Sequence, residues 1–246
     1  MLKIFRNIRK TLMEQNKTRT YLVYAIGEIA LVMIGILLAL QVNNWNIERT
    51  SKNTEETLLN GVVESFQEDA LLYASVEQEI KEIDKLYRNI YYYTEGDYPA
   101  DSVDNLRYIR RTVLFNPVSI VNHPNLVNEV LSRDLKQAVR AYYQYMDNAT
   151  FVIDNFNIHV EDVVRPYLAE INVFNYGLQY SEEDINLYSA DDLILKEEFL
   201  NELEDPILQQ LLFETGLKYA AVDIMLEDLQ KENQLIIKRI NDYLNH

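Results

Sequence analysis

From Thr20 to Val42 the chain reads TYLVYAIGEIALVMIGILLALQV, 23 residues of which thirteen are Leu, Ile, Val or Met. As an α-helix this stretch reaches roughly 35 Å, enough to cross a hydrocarbon core of about 30 Å. Each large aliphatic residue favours insertion by about 0.3–0.6 kcal/mol, whereas a central charge opposes it by roughly 2.5–3.5 kcal/mol. The balance predicts insertion despite Glu28. A cleaved signal peptide has a shorter apolar region and leaves through small residues. Here the exit is Leu40-Gln41-Val42-Asn43-Asn44-Trp45. The stretch therefore reads as an uncleaved anchor over residues 20–44, between a basic segment (1–19) and an outer domain (45–246).

The flanks set a direction. Lys3, Arg6, Arg9, Lys10, Lys17 and Arg19 precede the span against Glu14 alone, a net of +5, and no base occurs from Asn43 to Asn46. Basic residues are retained on the cytoplasmic side, so the N-terminus is expected inside and the rest of the chain outside an inner membrane. Tyr21 and Tyr24 at one end and Trp45 at the other suit the two lipid–water interfaces. Leu2, Phe5, Ile8 and Leu12 recur at helical spacing opposite Lys3, Arg6 and Lys10. That pattern predicts a short amphipathic helix on anionic lipid, with a frayed basic tail as the alternative.

Within the span, Tyr24-Ala25-Ile26-Gly27-Glu28-Ile29, Ile34-Gly35-Ile36-Leu37-Leu38-Ala39-Leu40-Gln41 and Asn43-Asn44-Trp45-Asn46 form a compound motif. It resembles the N-terminal signature of a family of uncharacterised single-pass envelope proteins from Bacteroidota. The resemblance covers about 45 residues with their basic lead-in; beyond residue 50 only helical character and a Tyr-Tyr pair at Tyr142 and Tyr143 are shared. It implies a Gram-negative inner membrane, with the outer domain in the periplasm. It brings no activity with it.

The remainder is acidic and helical. The whole chain of 246 residues carries −16, and residues 47–246 carry −20. A phosphate backbone is repelled by such a surface, so no nucleic-acid partner is expected. Six glycines and five prolines are too few for the frequent turns of a β-sandwich or barrel. Between residues 55 and 93 a seven-residue pattern runs through Leu59, Val62, Phe66, Tyr73, Val76, Ile80, Ile83, Tyr87 and Ile90, interrupted by Asp69. Nothing in residues 43–58 breaks a helix, and Thr94-Glu95-Gly96 stops it. A second helix is predicted over 134–171 on Leu135, Val139, Tyr142, Met146, Ile153, Phe156, Val160, Val163, Tyr167 and Leu168, with a kink at Pro166. A third opens at Asp205-Pro206 and carries Leu208, Leu211, Leu212, Tyr219, Val222, Leu226, Leu229, Ile236, Ile240 and Tyr243.

Matched lengths point to an all-α, elongated antiparallel bundle of three to four helices, with shorter helices near 102–114 and 124–132 adding a partial layer. A coiled coil built from several chains through the same stripes is the rival reading. Aromatic residues in the stripes favour the irregular globular core.

Chemistry-bearing patterns are sparse. Zero cysteines excludes thiolate catalysis, disulfides and zinc ribbons. His123, His159 and His246 are scattered and none has Glu three positions earlier, so no bundle di-metal motif, no cofactor and no enzymatic activity are expected. His159 reads as an ordinary surface or boundary histidine. The acid-rich Ser181–Asp205 stretch offers oxygen ligands for loose calcium binding or simply an acidic loop. Tyr91, Tyr92, Tyr93, Tyr142, Tyr143 and Tyr145 either line a ligand groove or serve the core.

Glu28 demands an explanation, because an intramembrane carboxylate is costly. Gly27, Gly35 and Ala39 share its half of the helix surface, and Gly35-x-x-x-Ala39 has the spacing that lets helices approach closely. Three readings follow: assembly with itself or another membrane protein, a proton-relay carboxylate of a motor accessory subunit, or a protonated Glu near the headgroups. The expected function is an interaction or assembly module of the envelope. The alternative is a ligand-sensing bundle that signals through a partner.

Overall fold

A computed structural model describes residues 18–180 and 193–245. The fold is 85% helical and has no strand among the described residues; one isolated antiparallel bridge joins Phe174 and Ile194. Contacts divide the chain into two compact units, the first ending at Thr57 and the second beginning at Leu58. The predicted amphipathic helix, with Lys3, Arg6, Arg9 and Lys10, lies outside the described residues, as does His246. So do the side chains of Tyr21 and Tyr24 and most of the acid-rich stretch, residues 181–192.

Helix α1 runs without a break from Thr18 to Thr94. It ends where the sequence expects, the chain turning at Gly96 with φ +83°, a conformation open to glycine at no steric cost. After α1 come two 3₁₀ turns, Ala100–Ser102 and Leu106–Arg110, then short helices α2 (Val118–Asn122) and α3 (Leu126–Glu129). Long helix α4 (Arg133–His159) starts at a Ser132 cap that accepts from the Leu135 amide. A wide turn of π-helix, Val160–Val164, leads into α5 (Arg165–Glu170). Helix α6 (Lys196–Glu202) precedes α7 (Pro206–Leu244), which the Asp205 carboxylate caps through the Ile207 amide at 2.8 Å.

The second unit is a helical bundle whose core is the predicted stripes. All nine apolar positions of the α1 pattern are buried, as are Tyr142, Met146, Ile153 and Phe156 of α4 and Val222, Leu226, Leu229, Ile236 and Ile240 of α7. Two stripes need correction. Val163 is exposed while Val164 is buried, because the π turn adds a residue and moves the buried series to Val160, Val164 and Leu168. Pro166 sits directly after that turn, where its missing N–H and its ring would otherwise break the helix. Tyr243, the last position of the α7 stripe, is exposed.

Helix directions follow from which residues meet. Tyr142 of α4 meets Asn233 of α7, and His159 meets Thr215, so α4 and α7 are antiparallel. Phe66 and Tyr87 of α1 meet Asn233 and Tyr219 of α7, again antiparallel. Consequently α1 and α4 run in the same direction, which a simple antiparallel bundle does not allow. The long connection between them makes this arrangement feasible. It returns along α1, Ser102 meeting Asn89, Arg111 meeting Glu79, Val118 meeting Asp69 and Asn122 meeting Ser65.

Of the helix expected over 102–114 only the 3₁₀ turn Leu106–Arg110 forms, and the chain beyond it is an extended strap. Val113, Phe115, Pro117 and Ser119 are buried and Leu114 and Asn116 exposed, the period of two of an extended chain. Helices satisfy the backbone of such a segment only through side chains. Asn157 of α4 does so for Val113, accepting from its amide and donating to its carbonyl, both at 2.8 Å. Arg165 donates to the Arg110 carbonyl, and Tyr143 to that of His123.

Candidate functional site

Two arrangements stand out, one in each unit. In the first, the apolar stretch of α1 is exposed on every side: Leu31, Ile34, Leu37 and Leu40 point in different directions and are 72%, 56%, 60% and 53% exposed. A soluble helix shows one apolar stripe, and one that is apolar all round belongs in a fully apolar environment. The helix is long and apolar enough to cross a membrane. Glu28 is half-buried on it, and Gly27, Gly35 and Ala39 are exposed within the same third of its circumference. Nothing stands within 4 Å of where a Cβ on Gly27 or Gly35 would sit. The fold of the chain itself therefore does not require glycine there, although each costs a helix roughly 0.5–1 kcal/mol relative to alanine. Trp45 is 63% exposed at the far end of the stretch.

The second arrangement is a polar network closed inside the bundle. Asn233 donates to the Phe66 carbonyl at 3.0 Å and to the Tyr142 hydroxyl at 2.7 Å. The Tyr142 hydroxyl shares a 3.0 Å hydrogen bond with that of Tyr73. One turn before Tyr73, Asp69 accepts from the Val118 amide at 2.6 Å and from the Ser119 amide at 3.4 Å, which fastens the strap where it becomes α2. Asp69 and Tyr73 have no exposed surface, and Asn233 and Tyr142 have 1%. Burial pushes the Asp69 carboxyl above the ordinary range, and hydrogen bonds from the Ser119 side chain and the Val118 and Ser119 amides only partly oppose it. Burial likewise raises the Tyr142 hydroxyl to about 12, so both phenols stay protonated and able to donate. Because these groups are sealed from solvent, the network serves specificity: each partner fixes the register of one helix against another.

Several site expectations now have places. Tyr142 is core, Tyr143 half-buried beside Phe66, and Tyr145 exposed. Tyr91, Tyr92 and Tyr98 pack together on the surface near the end of α1, so the two tyrosine groups form no common groove. Residues 66 and 91 of one helix are separated by about 38 Å. His159 is buried rather than superficial, bonded to Thr215 at 2.9 Å. Burial, and secondarily Lys218, hold its imidazole below the usual range, so it is neutral. No group of acids and histidines among the described residues is spaced to hold a metal ion.

The α7 stripe read from the sequence omits two of the polar residues that structure the core, Thr215 and Asn233. A signal for both was present, since the steps from Leu212 to Tyr219 and from Leu229 to Ile236 each skip one expected position, and these two residues fill the gaps.

Set against protein-family models, curated proteins and solved structures, the chain matches none.

Proposed function

We propose that the protein is a single-pass membrane protein of the cell envelope, anchored by residues 20–44, that acts as a non-enzymatic interaction and assembly module. Its N-terminal segment lies in the cytoplasm and its acidic bundle in the periplasm, a placement supported by the +5 lead-in and by the resemblance of residues 24–46 to single-pass envelope proteins of Bacteroidota. The observation that carries the reading is the helix that is apolar on all sides yet holds Glu28 beside two glycines the chain itself does not require. Lipid covers most of such a helix, and a second helix covers the Gly27–Glu28–Gly35–Ala39 face. Close approach at the small residues sets Glu28 against a second helix and away from lipid. That second helix comes from another copy of the chain or from another membrane protein.

The absence of cysteine makes the test direct. A single cysteine at Ala39 is expected to form a disulfide-linked adduct in native membranes under mild oxidation, while one at Leu37, on the opposite side of the helix, does not. The mass of the adduct reports whether the partner is a copy. Adding Glu28→Leu is expected to weaken the association about 3- to 30-fold, the equivalent of roughly 0.6–2 kcal/mol for an interhelical hydrogen bond in lipid. Equal cross-linking from both faces would remove the basis for a specific contact.

A further inference from the structure

The second core cluster, built on Val103, Leu106, Ile194 and Phe199, carries an open cleft of about 500 Å³ on its surface. Among the described residues its walls are the turn at Val103–Leu106 on one side and the bridged segments around Asn175 and Ile194 on the other. The floor is apolar, with Val103, Leu106 and Ile194 at most 3% exposed. Around it stand Asp104, Asn105, Asn175 and Lys196.

None of these four side chains makes a hydrogen bond or ion pair among the described residues, although Asn105, Asn175 and Lys196 are half-buried. Lys81 pairs with Glu77 and Lys218 with Glu214, each one turn away, whereas Lys196 has no acid one turn away bonded to it. Lys196 and Asp104 line the same cleft without bonding to each other. A half-buried lysine and two half-buried amides without partners have hydrogen-bonding capacity that a ligand can take up.

We propose that this cleft binds a small zwitterion of the short-peptide class, its ammonium group toward Asp104 and its carboxylate toward Lys196. Each asparagine amide offers two donors and an acceptor, which suits a peptide bond between the two charged ends. The apolar floor receives one aliphatic side chain. The volume falls within the roughly 300–1,000 Å³ range of small-molecule sites.

The test is calorimetry on the full chain in lipid nanodiscs, titrated with the dipeptide L-alanyl-L-leucine against empty nanodiscs. Binding with a dissociation constant of about 1 mM or tighter is expected. N-acetylation of the dipeptide and amidation of its C-terminus are each expected to weaken it about tenfold or more, as are Asp104→Asn and Lys196→Gln in the protein. Circular dichroism identifies variants that have kept the fold. Absence of heat beyond the empty nanodiscs overturns the proposal, as does equal binding of the doubly capped dipeptide. Unchanged affinity in folded Lys196→Gln does so too. Sensitivity to amidation without sensitivity to acetylation would replace the zwitterion by a simple carboxylate and equally overturn it.

Discussion

Arginine at both Leu31 and Ile34 is expected to release the protein from membranes. Both side chains are exposed on α1, 72% and 56%, and neither belongs to the core of the bundle, so the outer unit should keep its fold. Each central arginine opposes insertion by about 2.5–3.5 kcal/mol, and each lost aliphatic residue removes about 0.3–0.6 kcal/mol of favourable transfer. The pair therefore shifts the insertion balance by about 6–8 kcal/mol, several powers of ten. Flotation through a density gradient after carbonate extraction is the measurement. Wild-type chain should float with lipid and the double variant should remain at the bottom. If both float equally, the stretch from Thr20 to Val42 is not what holds the protein in the membrane.

The second large effect concerns Asp69. In Asp69→Leu the half-buried amide of Val118 and the buried amide of Ser119 lose their acceptor, each at a cost of roughly 1–3 kcal/mol. The expected loss of about 2–6 kcal/mol is a large fraction of the 5–15 kcal/mol that typically separates folded from unfolded domains. Thermal unfolding followed at 222 nm should show it, and melting at the wild-type temperature would mean the strap is held without Asp69. Asp69→Asn keeps an acceptor and separates hydrogen bonding from charge. The folded carboxyl titrates above its unfolded value, so the native state holds its proton to higher pH than the unfolded chain does. That contribution is complete below the unfolded pKa and is lost as pH rises through the folded one. Wild-type stability relative to Asp69→Asn should accordingly fall as pH rises above the ordinary carboxylate range. A constant or rising difference would contradict the burial of this carboxyl.

Much of this was legible in residue order, and the misses have specific causes. Helical repeats at 59–90, 135–160 and 208–240 identify the core because a 3.6-residue period maps directly onto one face of a helix. Helix direction was not legible, since amphipathic stripes look the same whichever way a helix runs. The strap was missed for a different reason. Val113, Phe115 and Pro117 alternate with Leu114 and Asn116, but the run is short, and its pairing partner is a set of side chains rather than a neighbouring strand. Asn157, which completes that pairing, reads on its own sequence as one more polar position on α4. Asp69 was visible as an interruption of a stripe, whereas its role depends on residues 118 and 119, which the chain brings to it only by turning back along α1. The apolar stretch needed no tertiary information, because its character lies in composition alone.

The bond from Asn233 to the Phe66 carbonyl spans 167 positions of the chain. It places a constraint on how the protein is made. At typical elongation rates of about 5–20 residues per second, the polymer between those two positions takes on the order of ten seconds to emerge. From the emergence of Tyr142 until that of Asn233, Tyr73 and Tyr142 have each other but lack the helix that closes over them. On the proposed membrane anchoring, a chain whose apolar stretch engages lipid first would remain tethered beside a bilayer while its bundle is unfinished. Such an intermediate exposes aromatic and aliphatic surface until the last residues arrive. C-terminal truncation before Asn233 is therefore a lesion of assembly order, leaving the earlier helices without the element that completes them.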